Sequence, residues 1–380
     1  MWVNIRIFCI SMLRNIRNYF ILLIMDCKNI LITGGAGFVG SNLAIKFKNK
    51  YPQVRVIVFD NLKRRGSELN IPRLKKAGVD FVHGDVRSNE DLEGLSEIDI
   101  IIECSAEPSV MAGVDDSPKY LINTNLLGTV NCLELARKRN SQFIFLSTSR
   151  VYPISLLEDL HFHEDETRFS LTEVQEMSGV SPQGVSEDFP LTGYRTLYGA
   201  TKLSSELLIG EYAYTYKLPT IINRCGVITG PWQMGKVDQG FFVLWVASHL
   251  FGKDLSYIGY GGVGKQVRDF MHIDDLFEAI DLQIVSFNKF SGEVFNLGGG
   301  ASNTVSLLEL TAACQQITGK KISINSISET RLGDIRWFVT DCRKFNELTG
   351  WIPKKGVTET VNDIYDWLRT NRELVAPIFG

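Results

Sequence analysis

The apolar, β-branched run Asn29–Thr33 ends directly on Gly34-Gly35-Ala36-Gly37-Phe38-Val39-Gly40. This junction restricts the fold more than any other feature of the chain. Near-continuous apolar character marks a strand covered on both faces, hence a parallel sheet flanked by helices. Gly34 can make the tight turn, Gly37 lets backbone approach a pyrophosphate, and Gly40 lets helix and strand pack closely. The helix that follows offers free N–H groups and a positive dipole end to phosphate. Asp60 closes the next strand, 20 residues after Gly40, where an acid is expected to bind ribose hydroxyls. Strand, turn, helix and acid at these spacings predict a dinucleotide site, although the glycines read GxxGxxG rather than GxGxxG. A carboxylate at position 60 repels a 2′-phosphate, so NAD is expected over NADP, with Lys63, Arg64 and Arg65 close enough to temper the preference.

The same pattern continues downstream. Val54–Asp60, Asp80–Val82, Asp99–Glu103, Phe143–Ser147 and Thr220–Asn223 read as buried strands, with helices over Gly40–Lys50, Ile122–Lys138 and Tyr198–Tyr216. Alternating strands and helices predict an α/β fold: a doubly wound, Rossmann-type parallel sheet. Residues 26–227 are expected to form this dinucleotide-binding domain, with a polar, turn-rich insertion at 153–190 that reads either as a lid or as a disordered segment. Residues 228–380 are expected to form mainly a smaller C-terminal substrate-binding lobe, partly interleaved with the first. Residues 1–25 carry Arg6, Arg14 and Arg17 and lack both the apolar length of a membrane span and the cleavage site of a signal peptide. They read as an extension ahead of the native start, with an amphipathic surface anchor as the alternative.

With 22% charged residues and a net charge of −3, the chain lacks the basic footprint of a nucleic-acid binder. Its seven cysteines are scattered and never spaced as CxxC, which disfavours disulfides and a zinc site and fits a reducing cytoplasm. No metal is expected: His161, His163, Glu164 and Asp165 read as a solvated surface. Gly259–Lys265 mimics a phosphate loop, but Gln266 stands where its Mg²⁺-binding hydroxyl would be.

Tyr198 and Lys202 stand at i and i+4 of a helix, on one face. A free tyrosine has a pKa of about 10, and a neighbouring ammonium lowers it by favouring phenolate. Tyr198 could then take a proton from a sugar hydroxyl as hydride leaves the same carbon. Thr148 stands at the C-terminal end of a strand, where side chains face the ligand crevice, and could orient that hydroxyl.

These residues together resemble the extended short-chain dehydrogenase/reductases of the NAD-dependent epimerase/dehydratase family. The resemblance runs from about Lys28 to Trp367 and includes Gly34–Gly40, Asp60-Asn61-Leu62, Gly84-Asp85-Val86, Asn125, the Thr148 strand end and Tyr198/Lys202. It implies Thr148, Tyr198 and Lys202 as the catalytic triad. It implies a cofactor site of Gly34, Gly37, Phe38, Val39, Gly40, Asp60, Asn61, Asp85, Val86, Ser105, Ala106, Asn125, Tyr198 and Lys202, with the Asp85 region at adenine. Within the family, Glu166–Phe169, Asp238–Gly240 and Gly264–Asp269 resemble the branch that epimerises CDP-tyvelose and CDP-paratose at C2. That likeness implies a CDP-sugar substrate held by Arg268, Arg331, Gln239 and Gln266, with the arginines on the diphosphate. Cys225–Lys236 departs from that branch. Pairing of the two long helices in this family implies a homodimer or a dimer-based tetramer.

Dehydratases of the family carry Asp-Glu directly after the threonine; here Ser149-Arg150 stand there, so water elimination lacks its acid/base pair. The expected reaction is epimerisation by transient oxidation and re-reduction of the sugar. A reductase or a 4-epimerase is the alternative within the family, and a non-catalytic NAD-binding sensor the alternative outside it.

Overall fold

A computed structural model describes residues 27–237 and 239–380 of the chain; the extension at 1–25 and Asp238 lie outside the described residues. Seven strands build the central sheet: β1 (Asn29–Thr33), β2 (Arg55–Asp60), β3 (Asp80–His83), β4 (Ile100–Glu103), β5 (Gln142–Thr148), β6 (Thr220–Cys225) and β7 (Val294–Leu297). Their order is β7-β6-β5-β4-β1-β2-β3, and every pairing is parallel. The strand order reverses between β1 and β4. In such sheets ligands bind beyond the C-terminal ends of the strands at this switch point.

The apolar strands are sandwiched as their composition demands. Ile30, Ile32, Val56 and Val58 pack on one side with Phe47 of helix α1 (Phe38–Lys50), whereas Leu31, Ile57, Ile101 and Phe143 face Cys132, Leu133 and Ala136 of helix α2 (Gly128–Arg139). The helix expected over Ile122–Lys138 begins at Lys119 and contains one π-helical turn, Asn123–Leu127, before α2. Helix α3 (Leu197–Tyr216) follows its expected bounds, capped by the Thr196 hydroxyl, which accepts from Gly199 N–H at 3.2 Å.

Strand β7 went unread in the sequence. It belongs to the C-terminal part of the chain yet pairs with β6 as the edge of the dinucleotide sheet, and Phe295 and Leu297 join the same core as Ile221. Helix α4 (Ile273–Val285) supplies Leu276, Ala279 and Ile280 to that core as well. Residues 153–190 carry a short helix, Ile154–Glu158, and two small hairpins. Leu157, Leu160, Val185 and Phe189 anchor this stretch in a core with Trp337 and Phe338. Beyond the sheet, Phe242, Trp245, Val361 and Trp367 centre a second core in the C-terminal part.

Candidate active site

Two contiguous cavities lie over the C-terminal ends of the strands. The smaller, about 440 Å³, is lined by Gly34, Gly37, Gly40, Asp60, Asn61, Val86 and Ser105. The larger, about 740 Å³, is lined by Thr148, Tyr198, Lys202, Gln266, Arg268 and Arg331. Phe38, Val39, Ala106, Gln233, Lys236 and Gln239 border both, so one opens into the other. Volumes of this size suit small-molecule and cofactor sites.

The glycine turn gives the smaller cavity a wall of backbone. Gly34 has φ +61°, and a Cβ there would stand 2.8 Å from the Cys104 carbonyl oxygen; at Gly40 it would stand 2.5 Å from the Gly34 carbonyl oxygen. Helix α1 starts after Gly37 with no side-chain cap, which leaves its first N–H groups for an anion. Asp60 accepts from Ala36 N–H at 3.1 Å and Leu62 N–H at 2.7 Å, tying the strand end to the glycine turn. Burial pushes its carboxyl up, and those N–H groups pull it back. Lys63, Arg64 and Arg65 line the same cavity; Arg65 is spent on the Pro377 carbonyl, and Arg64 donates to the Met234 carbonyl at 3.2 Å. A side-chain-free cradle, an uncapped helix end and an acid at the ribose position fit a dinucleotide.

Two residues that the resemblance implies here stand just behind the cavity wall. Asp85 does not line either cavity; its carboxylate is held below the usual range, at about 2, by Arg87, and it also accepts from Asn61 at 2.8 Å. Its neighbours Gly84 and Val86 do the lining. Asn125 is fully buried; its side chain brackets Glu107 N–H (2.8 Å) and C=O (3.1 Å) and reaches Thr201 at 3.3 Å. These bonds tie it to the Ser105–Pro108 wall of the smaller cavity.

The larger cavity is assembled from side chains of distant segments. Gly199 brings α3 against the turn after β5, where any side chain would meet the Arg150 carbonyl oxygen at 2.1 Å. That contact sets Tyr198 beside Thr148. Burial pushes the Tyr198 phenol up to about 12; the Thr148 hydroxyl lies close enough to oppose this by hydrogen bonding, and the Arg150 guanidinium opposes it by charge. The Lys202 ammonium is turned differently from the sequence expectation. It stands 3.8 Å from the Phe145 ring centroid and 4.0 Å from Glu103 Oε2. Below it, Glu206 accepts from Ser147 at 2.5 Å and pairs with Arg224 at 2.8 Å, locking α3 to β5 and β6.

The expected diphosphate arginines differ from each other. Arg268 donates to Asp334 (3.1 Å) and to the Ile335 and Val267 carbonyls (2.6 and 2.7 Å), which leaves two of its five N–H groups without a hydrogen bond among the described residues. Arg331 borders the cavity on the same turn as Asp334. Gln266 donates to the Ile258 carbonyl at 2.6 Å, and Gln239 sits at the seam of the cavities. Arg150, read in the sequence only as a missing acid, borders the cavity with one nitrogen held by the Gly333 carbonyl at 2.9 Å. Glu103 was missed altogether, because the run Ile100–Ile102 ahead of it reads as plain core. Its position at a strand's crevice end was the signal, as it was for Thr148.

The profile of the NAD dependent epimerase/dehydratase family matches residues 30–298, more than half of the chain. The chain belongs to this family. CDP-paratose 2-epimerase from Salmonella typhi is 32% identical over 346 residues, covering 89% of this chain and 98% of the relative. Among solved structures, dTDP-glucose 4,6-dehydratase from Bacillus anthracis in complex with NAD has a TM-score of 0.72 at 28% identity, covering 93% of this chain and all of that one. UDP-glucuronic acid 4-epimerase from Bacillus cereus, with UDP-glucuronic acid and NAD, has a TM-score of 0.73 at 25% identity, covering 90% and 99%. As a member of the NAD dependent epimerase/dehydratase family, the protein is an NAD-dependent enzyme with a Rossmann-type fold. No helix among the described residues is long and apolar enough to cross a membrane.

Proposed function

We propose that the enzyme epimerises a nucleotide-sugar, with a CDP-sugar of the paratose type inverted at C2. The observation that carries this reading is Tyr198 beside Thr148, where the larger cavity opens into the glycine-lined one, with Ser149-Arg150 and no acid pair after the threonine. NAD, when bound, supplies a hydride acceptor beside the sugar carbon. Thr148 orients the reacting hydroxyl, and Tyr198 takes its proton and later returns it, so no net proton is consumed. Inversion requires the keto-sugar to present its opposite face within the larger cavity, and 740 Å³ leaves room for that turn. Arg331, together with the two free N–H groups of Arg268, holds the diphosphate, a geometry guanidinium forks suit. The 32% identity to a CDP-paratose 2-epimerase supports the choice of sugar and carbon.

Lacking the acid pair, the site disfavours elimination despite the fold shared with a 4,6-dehydratase. The proposed assembly is a homodimer, or a tetramer built from it, through α3 and the helical stretch from Lys119 to Arg139. Leu127, Leu207 and Tyr214 on these helices are 49%, 67% and 77% exposed. Cytoplasmic residence completes the proposal. Its test is CDP-paratose incubated with the purified protein and no added cofactor. Conversion without net change at 340 nm is expected; stoichiometric NADH consumption would sink the reading in favour of a reductase.

A further inference from the structure

Glu103 ends β4, the strand that abuts β1 at the switch point, and its side chain is fully enclosed. Neither carboxylate oxygen makes a hydrogen bond among the described residues. The Ser105 N–H and the Thr129 hydroxyl pull its carboxyl down, but that hydroxyl is itself donated to the Asn125 carbonyl at 2.8 Å. A buried carboxylate in this state is costly unless a cation compensates it. The cation that faces it is Lys202, 4.0 Å away and 2% exposed. Lys202 has the complementary difficulty. An ammonium beneath a cavity wall, over the Phe145 ring, needs an anion to hold its proton. The other anion near it, Glu206, already serves Arg224 and Ser147.

From this juxtaposition we infer that Glu103 is the buried counter-ion that keeps Lys202 an ammonium, and so a positioning residue for the reaction. This deepens the proposed epimerase reading, because an uncharged Lys202 gives Tyr198 no electrostatic help. The groups around Glu103 are few: Lys202 and Tyr198 from α3, Cys104 next to it, Cys132 from α2, and Cys225 at the end of β6. The three thiols are pushed up by burial and stay neutral, so the charge balance rests on the carboxylate and the ammonium. Burial pushes the Glu103 carboxyl up to about 7 and the Lys202 ammonium down, and each partner counters the other's shift. Removing the carboxylate takes away the largest upward pull on Lys202 and leaves Glu206, already committed to Arg224, as the other carboxylate opposing burial. Its ionisation midpoint must fall.

The experiment reads Lys202 itself, without substrate. The NAD-bound chain is pulse-labelled with acetic anhydride from pH 6 to 11, and acetylation of the Lys202 peptide is followed by mass spectrometry. Glu103→Gln is expected to lower the midpoint by at least one unit, a tenfold rise in free amine at pH 8, and Glu103→Asp by less. A second arm melts Glu103→Gln, Lys202→Met and the double variant; the double variant is expected to melt no lower than Lys202→Met. Equal midpoints in wild type and Glu103→Gln, or fully additive melting losses, would overturn the inference. If Glu103→Gln fails to fold, Glu103→Asp and the Lys202→Met melts decide. A wild-type protein that turns over no nucleotide-sugar would remove the epimerase reading and leave this titration intact.

Discussion

The two cavities share a wall but are built in opposite ways. At the smaller cavity the stretch from β1 into α1 presents mostly backbone, and its glycines matter because they lack side chains; Asp60, Asn61, Val86 and Ser105 complete the wall. The larger cavity is bounded chiefly by side chains drawn from β5, α3, the segment after β6 and the turn at residues 331–334. A pocket of the first kind tolerates little change in shape. One of the second kind can change specificity residue by residue while its frame stands.

The largest effect should separate chemistry from binding. Tyr198→Phe is expected to cut turnover by roughly 10²–10⁴-fold while bound NAD, released by denaturation and quantified by absorbance, stays at the wild-type level. Intact turnover would break the enzymatic role given to the larger cavity. Next in size is Gly40→Ala, whose Cβ must push on the Gly34 carbonyl from 2.5 Å. Loss of NAD and of roughly 1–3 kcal/mol of stability in denaturant titrations is expected. Arg331→Ala is its counterpart: NAD retained, nucleotide-sugar affinity about tenfold weaker by calorimetry, in line with loss of one charged contact. If Arg331→Ala also emptied the smaller cavity, the contrast between the two would be wrong.

Arg150→Met should cost about tenfold in kcat/KM, the size of one lost charge interaction, and reshape the pH profile. The guanidinium now opposes the burial that raises the Tyr198 phenol. Without it the phenol titrates higher, so the limb that reports phenolate moves to more alkaline pH. A profile unmoved by this change would detach Arg150 from Tyr198.

The smallest effect lies in the lobe. Burial pushes the Asp269 carboxyl up to about 6 from 3.8, although Gly299 N–H donates to it at 2.8 Å. A carboxyl raised in the folded state binds its proton more tightly there, so stability is highest below the unfolded value and falls as pH rises from about 4 to 6. The ceiling of this loss is about 3 kcal/mol, of which roughly 1 kcal/mol should be recoverable, since an amide gives up part of the acceptor capacity. Asp269→Asn is therefore expected to melt higher than wild type at pH 7 and no higher at pH 4.

Legibility in the sequence followed the same division. The strand, glycine turn, helix and Asp60 were readable because local backbone demands are met by neighbouring residues. Thr148, Tyr198 and Lys202 were readable as types at set spacings, but not their partners: Lys202 faces Glu103, a contact between residues 99 positions apart. Strand β7 escaped notice because Val294–Leu297 is four residues long and follows glycine-rich segments. The stretch 153–190 looked like a loop because its buried anchors, such as Leu157 and Phe189, are scattered among polar residues with no single period. The resemblance puts the Asp85 region at adenine; Gly84 and Val86 line the smaller cavity, while the Asp85 carboxylate pairs with Arg87, a partner that no motif spacing announces.

Strand β7 also limits how such an enzyme can be re-engineered. The edge of the nucleotide-binding sheet is supplied by the same stretch of polypeptide that goes on to form the lobe, so cutting after β6 would leave that strand unpaired on one side and strip Phe295 and Leu297 from the core around Ile221. A chimaera that borrows another enzyme's sugar pocket has to take two crossovers, one before α4 and one after β7, and leave that edge in place. The two functions can be exchanged separately, but only by threading the donor around the host's own sheet.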